Sequence, residues 1–194
     1  LYVRISFIAG GICFLAAVLY TVLSTKEYPP EYFDEEQGSS QGYLKGLATA
    51  FRHMPRSFVR LAPVQFATWL GLFLMWFYLT ITITEHVFGA TDPNSEQYAD
   101  GLAWANLCFG YYSVVTFLFA LFMPRLAVMM GNVRLHALCL LAGGIGLLSI
   151  ALVHDKYVLL LSMTGVGIAW ASIVSMPYAI IARDIPAKQM GIFM

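Results

Sequence analysis

The chain has 194 residues, of which 59% are hydrophobic, 15% aromatic and only 11% charged. A soluble globular domain carries about 25% charged residues, and mean hydropathy here is +0.71. That much apolar surface cannot be hidden in a water-soluble fold of this size. Eleven Lys+Arg balance eleven Asp+Glu, so no basic surplus serves a polyanion. A soluble enzyme, a nucleic-acid binder and a disordered tail are all poor readings.

The charges fall in clumps. Asp, Glu, Lys and Arg are absent from residues 5–25, 61–84, 101–124, 135–154 and 157–182. Each gap is about 20 residues or more, enough for a helix to cross about 30 Å of hydrocarbon. The expectation is an all-α, polytopic membrane protein with five transmembrane helices. A sixth is expected to begin in the apolar run Met190 to Met194. The chain starts on Leu1 and stops inside that run, so it is expected to be part of a longer protein that lacks its N-terminal half here. The first span has no basic start and no small-residue cleavage site after it, which argues against a signal peptide.

Between spans one and two lies the longest polar segment, residues 26–60. Lys26-Glu27-Tyr28-Pro29-Pro30 cannot continue a helix. An acidic, Gly/Ser-containing stretch follows. Then Leu44, Leu47, Ala48 and Phe51 recur at helical spacing, opposite polar residues. This predicts a short helix lying either on the inner membrane surface or on the ends of the spans. Pro63 is expected in the first turn of span two, where its missing N–H is harmless. The organisation predicted is 1–25 as the last helix of a first half, 26–60 as a linker, and 61–194 as a second, incomplete half.

Loop charges set the orientation. Lys26, Lys45, Arg52, Arg56, Arg60, Arg125, Arg134, Arg183 and Lys188 fall on one side, against Arg4 and Lys156 on the other. The positive-inside rule places the first group in the cytoplasm. The linker is then cytoplasmic and the protein sits in the cell's inner (plasma) membrane.

Span two carries the most chemistry. Gln65, Trp69, Phe73, Trp76, Thr80 and Thr84 fall within about 100° of arc on a helical wheel. Aromatic plates interleaved with hydrogen-bonding groups suit a polyol, whose ring faces stack and whose hydroxyls need partners. The bland alternative is that the aromatics face lipid and the threonines bond their own backbone. Span three offers Asn106, Tyr111, Tyr112, Ser113 and Thr116. Asn106 and Tyr112 are the better candidates, because an amide or phenol in hydrocarbon needs a partner. The alternative is an interhelical hydrogen bond. Trp104 is expected to anchor the outer interface.

Span four has Gly143, Gly144 and Gly146, and span five has Gly165, Ala169 and Ser172, both suited to close helix packing. Trp170 lies at mid-span. Pro177 can kink its helix, a plausible gating bend. Glu85, at the outer end of span two, is either a solvated helix end or an outer gate with proton access. No carboxylate, Lys or Arg lies deep in any span. Cys13, Cys108 and Cys139 fall inside spans and behave as small apolar residues. The four histidines sit at loop edges on both sides, which argues against a shared metal site. No enzyme motif and no cofactor signature is present.

The segments Trp69 to Tyr78 (WLGLFLMWFY) and Gly167 to Ala179 (GIAWASIVSMPYA) resemble the sucrose-transporter-like (solute carrier 45 type) branch of the major facilitator superfamily. This branch is related to the glycoside–pentoside–hexuronide:cation symporters. Thr25 to Pro30 resembles the start of that family's central linker. The resemblance covers essentially the whole chain, from helix six to the start of helix eleven. It implies a helical bundle of the major facilitator type, working by alternating access and carrying a glycoside or disaccharide with a proton. Two departures stand out. The region Ile83 to Gly89 lacks the family's Asp motif, leaving Glu85 as its nearest substitute. The loop motif between helices eight and nine keeps Gly131 and Arg134 without its Asp. The sugar is expected between the two halves, on Gln65, Trp69, Trp76, Asn106, Tyr112 and Trp170, within the lipid bilayer and without nucleic acid. Other readings are a carrier of another small organic solute and a non-transporting sensor or scaffold.

Overall fold

A computed structural model describes residues 2–25 and 54–184; side chains are described from Arg4 onward. The amphipathic pattern at Leu44 to Phe51 and the apolar run from Met190 lie outside the described residues. The chain divides into two compact units, Leu1–Ala48 and Thr49–Met194, each treated by itself. Among the described residues there is no strand, and five helices are long and apolar enough to cross a membrane.

The first unit contributes α1, Tyr2–Ser24. It is apolar on every face, so no amphipathic stripe marks a core side. Near its end Thr21 Oγ1 donates to the Ala17 carbonyl, which keeps a hydroxyl satisfied without leaving the helix.

The second unit opens with α2, Arg56–Thr82. Pro55 sits at its N-cap with φ −56° and ψ 142°, the extended backbone from which a helix can start. The helix thus begins upstream of the expected boundary, and Arg56 and Arg60 belong to its first turns. Pro63 is inside it rather than in the first turn. The reason is that Pro55 supplies the start, so Pro63 falls two turns in and leaves the Val59 carbonyl without its helical donor.

After Thr82 the helix widens into a π turn, Ile83–Val87. Phe88 N–H reaches back to the Ile83 carbonyl at 3.0 Å, one residue further than an α-helical bond. Ile83 and Thr84 are fully buried there. Thr84 packs so closely on the next helix that a Cβ at Gly101 would lie 2.9 Å from Thr84 Cγ2. This contact explains a glycine in the opening turns of an apolar helix.

Helix α3 spans Glu96–Met130. Ser95 caps it, its hydroxyl accepting from Tyr98 N–H at 3.1 Å. The 35 residues extend about 52 Å at 1.5 Å per residue, well beyond one hydrocarbon thickness. The span was expected to stop at Pro124; the helix instead runs through it. A proline deep in a helix loses one bond, and membrane helices tolerate this where neighbours re-satisfy the carbonyl. The loop expected around Arg125 and Arg134 shrinks to one residue. Gly131 turns the corner at φ 84° and ψ 149°, a conformation essentially restricted to glycine.

Helix α4, Asn132–Ile150, then lies along α5, Lys156–Ile181. Asp155 caps α5, accepting from Tyr157 and Val158 N–H at 2.8 and 3.0 Å. The α4–α5 seam is built from backbone. A Cβ at Gly146 would lie 2.5 Å from the Ser162 carbonyl, and one at Gly165 would lie 2.5 Å from the Ala142 carbonyl. Gly143 faces Ala169 in the same way. Helix α3 closes on the other side of α5, where Thr116 Oγ1 donates to the Gly167 carbonyl at 2.9 Å. The core gathers around α5: Leu159 and Met163 are fully buried and Val166 is 1% exposed.

One histidine moves from its expected place. His136 lies inside the α4–α5 seam at 4% exposure, its Nδ1 2.8 Å from Ser172 Oγ. It is the second-turn residue of a helix that starts at Asn132, so it faces α5 rather than a loop.

Candidate functional site

Helix α2 presents Trp69 and Trp76 two turns apart, and α5 presents Trp170 to both. The Trp69–Trp170 centroids are 5.6 Å apart at 84°, and the Trp76–Trp170 centroids 5.3 Å apart at 85°. Trp69 and Trp76 themselves meet at 6.4 Å and 69°. All three pairs are edge-to-face, the arrangement that aromatic quadrupoles favour. Trp170 is thus wedged between two rings of another helix, and two of the three expected tryptophan contacts depend on its position.

The polar part comes from α3. Trp76 Nε1 donates to Tyr112 Oη at 3.2 Å, and Tyr112 is buried at 9% exposure. This hydrogen bond fixes the rotamer of Trp76 and satisfies an indole in an apolar setting. Gln65 stands one turn before Trp69 on α2, and its Oε1 is buried without a hydrogen-bond partner. Trp69 remains 44% exposed. The cluster therefore has a packed side, on Tyr112, and an open side, at Trp69.

An apolar groove of about 220 Å³ lies elsewhere, between α2, α4 and α5. Thr68 is the one hydroxyl in its lining, and it bonds the Val64 and Gln65 carbonyls of its own helix. The groove touches none of the tryptophans and offers no free polar group to a polyol.

The remaining expected residues divide. Phe73 is exposed and stacks on Phe77 at 6.2 Å. Thr84 gives its hydroxyl to the Thr80 and Ile81 carbonyls, the self-satisfied alternative for a membrane threonine. Asn106 is exposed on α3, while Glu85 is exposed on the π turn. Pro177 is buried inside α5. Tyr112, Trp76, Trp69 and Trp170 are therefore brought together, whereas Asn106 and Glu85 stand apart from them.

Residues 4–194 match the family model described as Major Facilitator Superfamily. The chain belongs to that superfamily. It is a multi-pass membrane protein of the secondary-transporter type, and its five apolar helices are a partial bundle of that fold. No curated protein and no solved structure matches it.

In this facilitator chain several polar pairings went unseen in the sequence. Tyr111 Oη and Thr164 Oγ1 are 2.9 Å apart across α3 and α5. Ser149 Oγ donates to Ser162 Oγ at 2.7 Å across the α4–α5 seam. Trp104, expected as an interface anchor, donates to the Lys156 carbonyl at 3.1 Å, and the Lys156 ammonium lies over the rings of Phe88, Trp104 and Tyr157. Each pair joins two different helices. A signal was present in the residue types, but spacing within one helix cannot choose the partner.

Proposed function

We propose that the protein carries a neutral carbohydrate, a glycoside or disaccharide, together with a proton by alternating access. The observation that carries this reading is the convergence of Trp69, Trp76 and Trp170 from two helices, with Gln65 and Tyr112 as polar neighbours. The apolar faces of a sugar ring stack on indoles, while its hydroxyls demand donors and acceptors. The unpaired Gln65 Oε1 is a ready acceptor. The scarcity of charge in the spans supports an uncharged solute, since a charged one would need a buried counter-ion.

In this reading Trp69 meets the solute first, from the open side of the cluster, and Gln65 offers its buried acceptor behind it. Trp76, held by Tyr112, forms the rigid wall. Trp170 couples the wall to α5, and Pro177, two turns further along α5, provides the bend that lets this helix rock. Asn106 and Glu85 join only in another state of the carrier, Glu85 at the outer gate. The coupling ion is a proton. The excess of Lys and Arg on one side of the spans supports a cytoplasmic linker, in a protein of the inner membrane. A second reading is favoured by the apolar surroundings of the tryptophans: another small organic solute with a flat face.

The test uses the full-length protein in proteoliposomes. A labelled disaccharide is expected to accumulate when a proton gradient is imposed, and Trp76→Ala to abolish accumulation. Accumulation of an uncharged aromatic solute in place of the sugar selects the second reading. Binding without accumulation of any solute supports a sensor and overturns transport.

A further inference from the structure

Two histidines far apart in sequence meet at the outer end of the second unit. His86 lies on the π turn after α2 and His154 in the loop before α5. Their ring centroids are 4.2 Å apart with the planes tilted by 47°. His86 Nε2 is buried and has no hydrogen-bond partner, whereas His154 is exposed. An imidazole nitrogen without a partner, beside a second imidazole that water can reach, is an uncommon arrangement for a purely structural contact.

We propose that His86 and His154 form a binding site for a borderline divalent transition-metal ion, of the Zn²⁺, Cu²⁺ or Ni²⁺ type, at the end of the bundle that the loop charges place outside. Imidazole suits these ions rather than Mg²⁺ or Ca²⁺, which select oxygen ligands. Two imidazole nitrogens on a tetrahedral zinc, each at about 2.0–2.1 Å, lie about 3.4 Å from each other. The ring centres of two such ligands lie about 5 Å apart, so the two rings, now 4.2 Å apart, would splay by about 1 Å to take the ion. Among the described residues no group of three or more His, Cys, Asp or Glu could hold a metal ion. The site is therefore a two-histidine one, completed by water.

The surroundings hold the two rings in place. The widened turn changes the azimuth of every side chain after Ile83, and the Phe88 carbonyl at its end accepts from the Gln97 side chain. On the other side Asp155 is fixed as the α5 cap, and Lys156 is held over Phe88 at 5.8 Å. The charged groups flanking the pair are Glu85, Asp155 and Lys156, two carboxylates against one ammonium. A bound ion would staple the end of α2 to the start of α5, the two helices that carry the tryptophans.

The test is a calorimetric titration of the full-length, untagged protein with Zn²⁺ at neutral pH. One ion per chain is expected. His86→Ala and His154→Ala are each expected to weaken it by about 10- to 100-fold, at least the cost of losing an outer-shell partner. His53→Ala, in the linker, is expected to leave it unchanged. A wild-type affinity retained in both single variants, or lost equally in His53→Ala, overturns the site. Pulsed electron paramagnetic resonance of Cu²⁺ on the unaltered protein is independent of variant folding. Two coupled imidazoles are expected, and a spectrum with one or none overturns the proposal.

Discussion

The α4–α5 seam and the aromatic face of α2 are both apolar, yet they use that character in opposite ways. In the seam, glycine and alanine bring two backbones into contact, and carbonyls lie 2.5 Å from where a side chain would begin. At the face of α2, its two indoles and Trp170 of α5 meet edge-on and leave Trp69 almost half exposed. Lipid is as apolar as leucine, so burial alone drives no helix association in a membrane; close packing and hydrogen bonds do. The seam spends its residues on contact. The tryptophan face keeps one side free, which is what a binding surface needs.

Substitutions separate these two roles. The largest effect on folding is expected from Gly146→Leu, whose side chain has no room against the Ser162 carbonyl. A loss of about 3 kcal/mol or more is expected in mixed-micelle unfolding of the full-length protein. An unchanged unfolding curve would mean that the seam is looser than its geometry. Next comes Ser172→Ala, which removes the partner of buried His136 Nδ1 and is expected to cost about 1–3 kcal/mol by the same measurement. Trp170→Ala reverses the balance. It removes two edge-to-face contacts, about 1 kcal/mol each, while uptake is expected to disappear in reconstituted vesicles. Uptake at wild-type level in a folded Trp170→Ala protein would sever the tryptophan cluster from transport.

Tyr112→Phe sharpens the comparison further. It takes away the acceptor for Trp76 Nε1, at a stability cost of about 0.6 kcal/mol, the average for an interhelical bond in a membrane. The affinity for solute is expected to fall more than the stability does, because the ring wall is no longer held. Smallest of all is Phe73→Leu, on the exposed side of α2, where about 0.5 kcal/mol or less is expected. A large loss of uptake there would extend the solute's footprint from the tryptophans to Phe73 at the exposed edge of the same face.

Much of the fold was legible from where the charges are missing. Five gaps gave five helices, because a polar backbone in lipid leaves few alternatives to a helix. Helix ends were less legible. Pro63 and Pro124 look like boundaries, but membrane helices run through both. The corner at Gly131 needs one residue where a loop was expected. Of the candidate site, Trp69, Trp76, Tyr112 and Trp170 were chosen by residue type and do come together. Asn106 was chosen on the same grounds and is exposed on α3. A wheel drawn for one helix says which side chains share a face, and it cannot say which helix that face meets. The histidines show the limit most clearly. His136 entered a seam, while His86 and His154 found each other only because a π turn re-aimed the first and a short loop placed the second.

The Gly131 corner bears on how this protein can be handled. With no slack between α3 and α4, an epitope or a fluorescent label inserted after Met130 would have to pry the helices apart before it could emerge. The four exposed residues from Thr91 to Asn94, between buried Ala90 and the Ser95 cap, already form an irregular connection and would take such cargo with both helix ends intact. Anyone wishing to follow this carrier in living cells should tag the latter and leave the glycine alone.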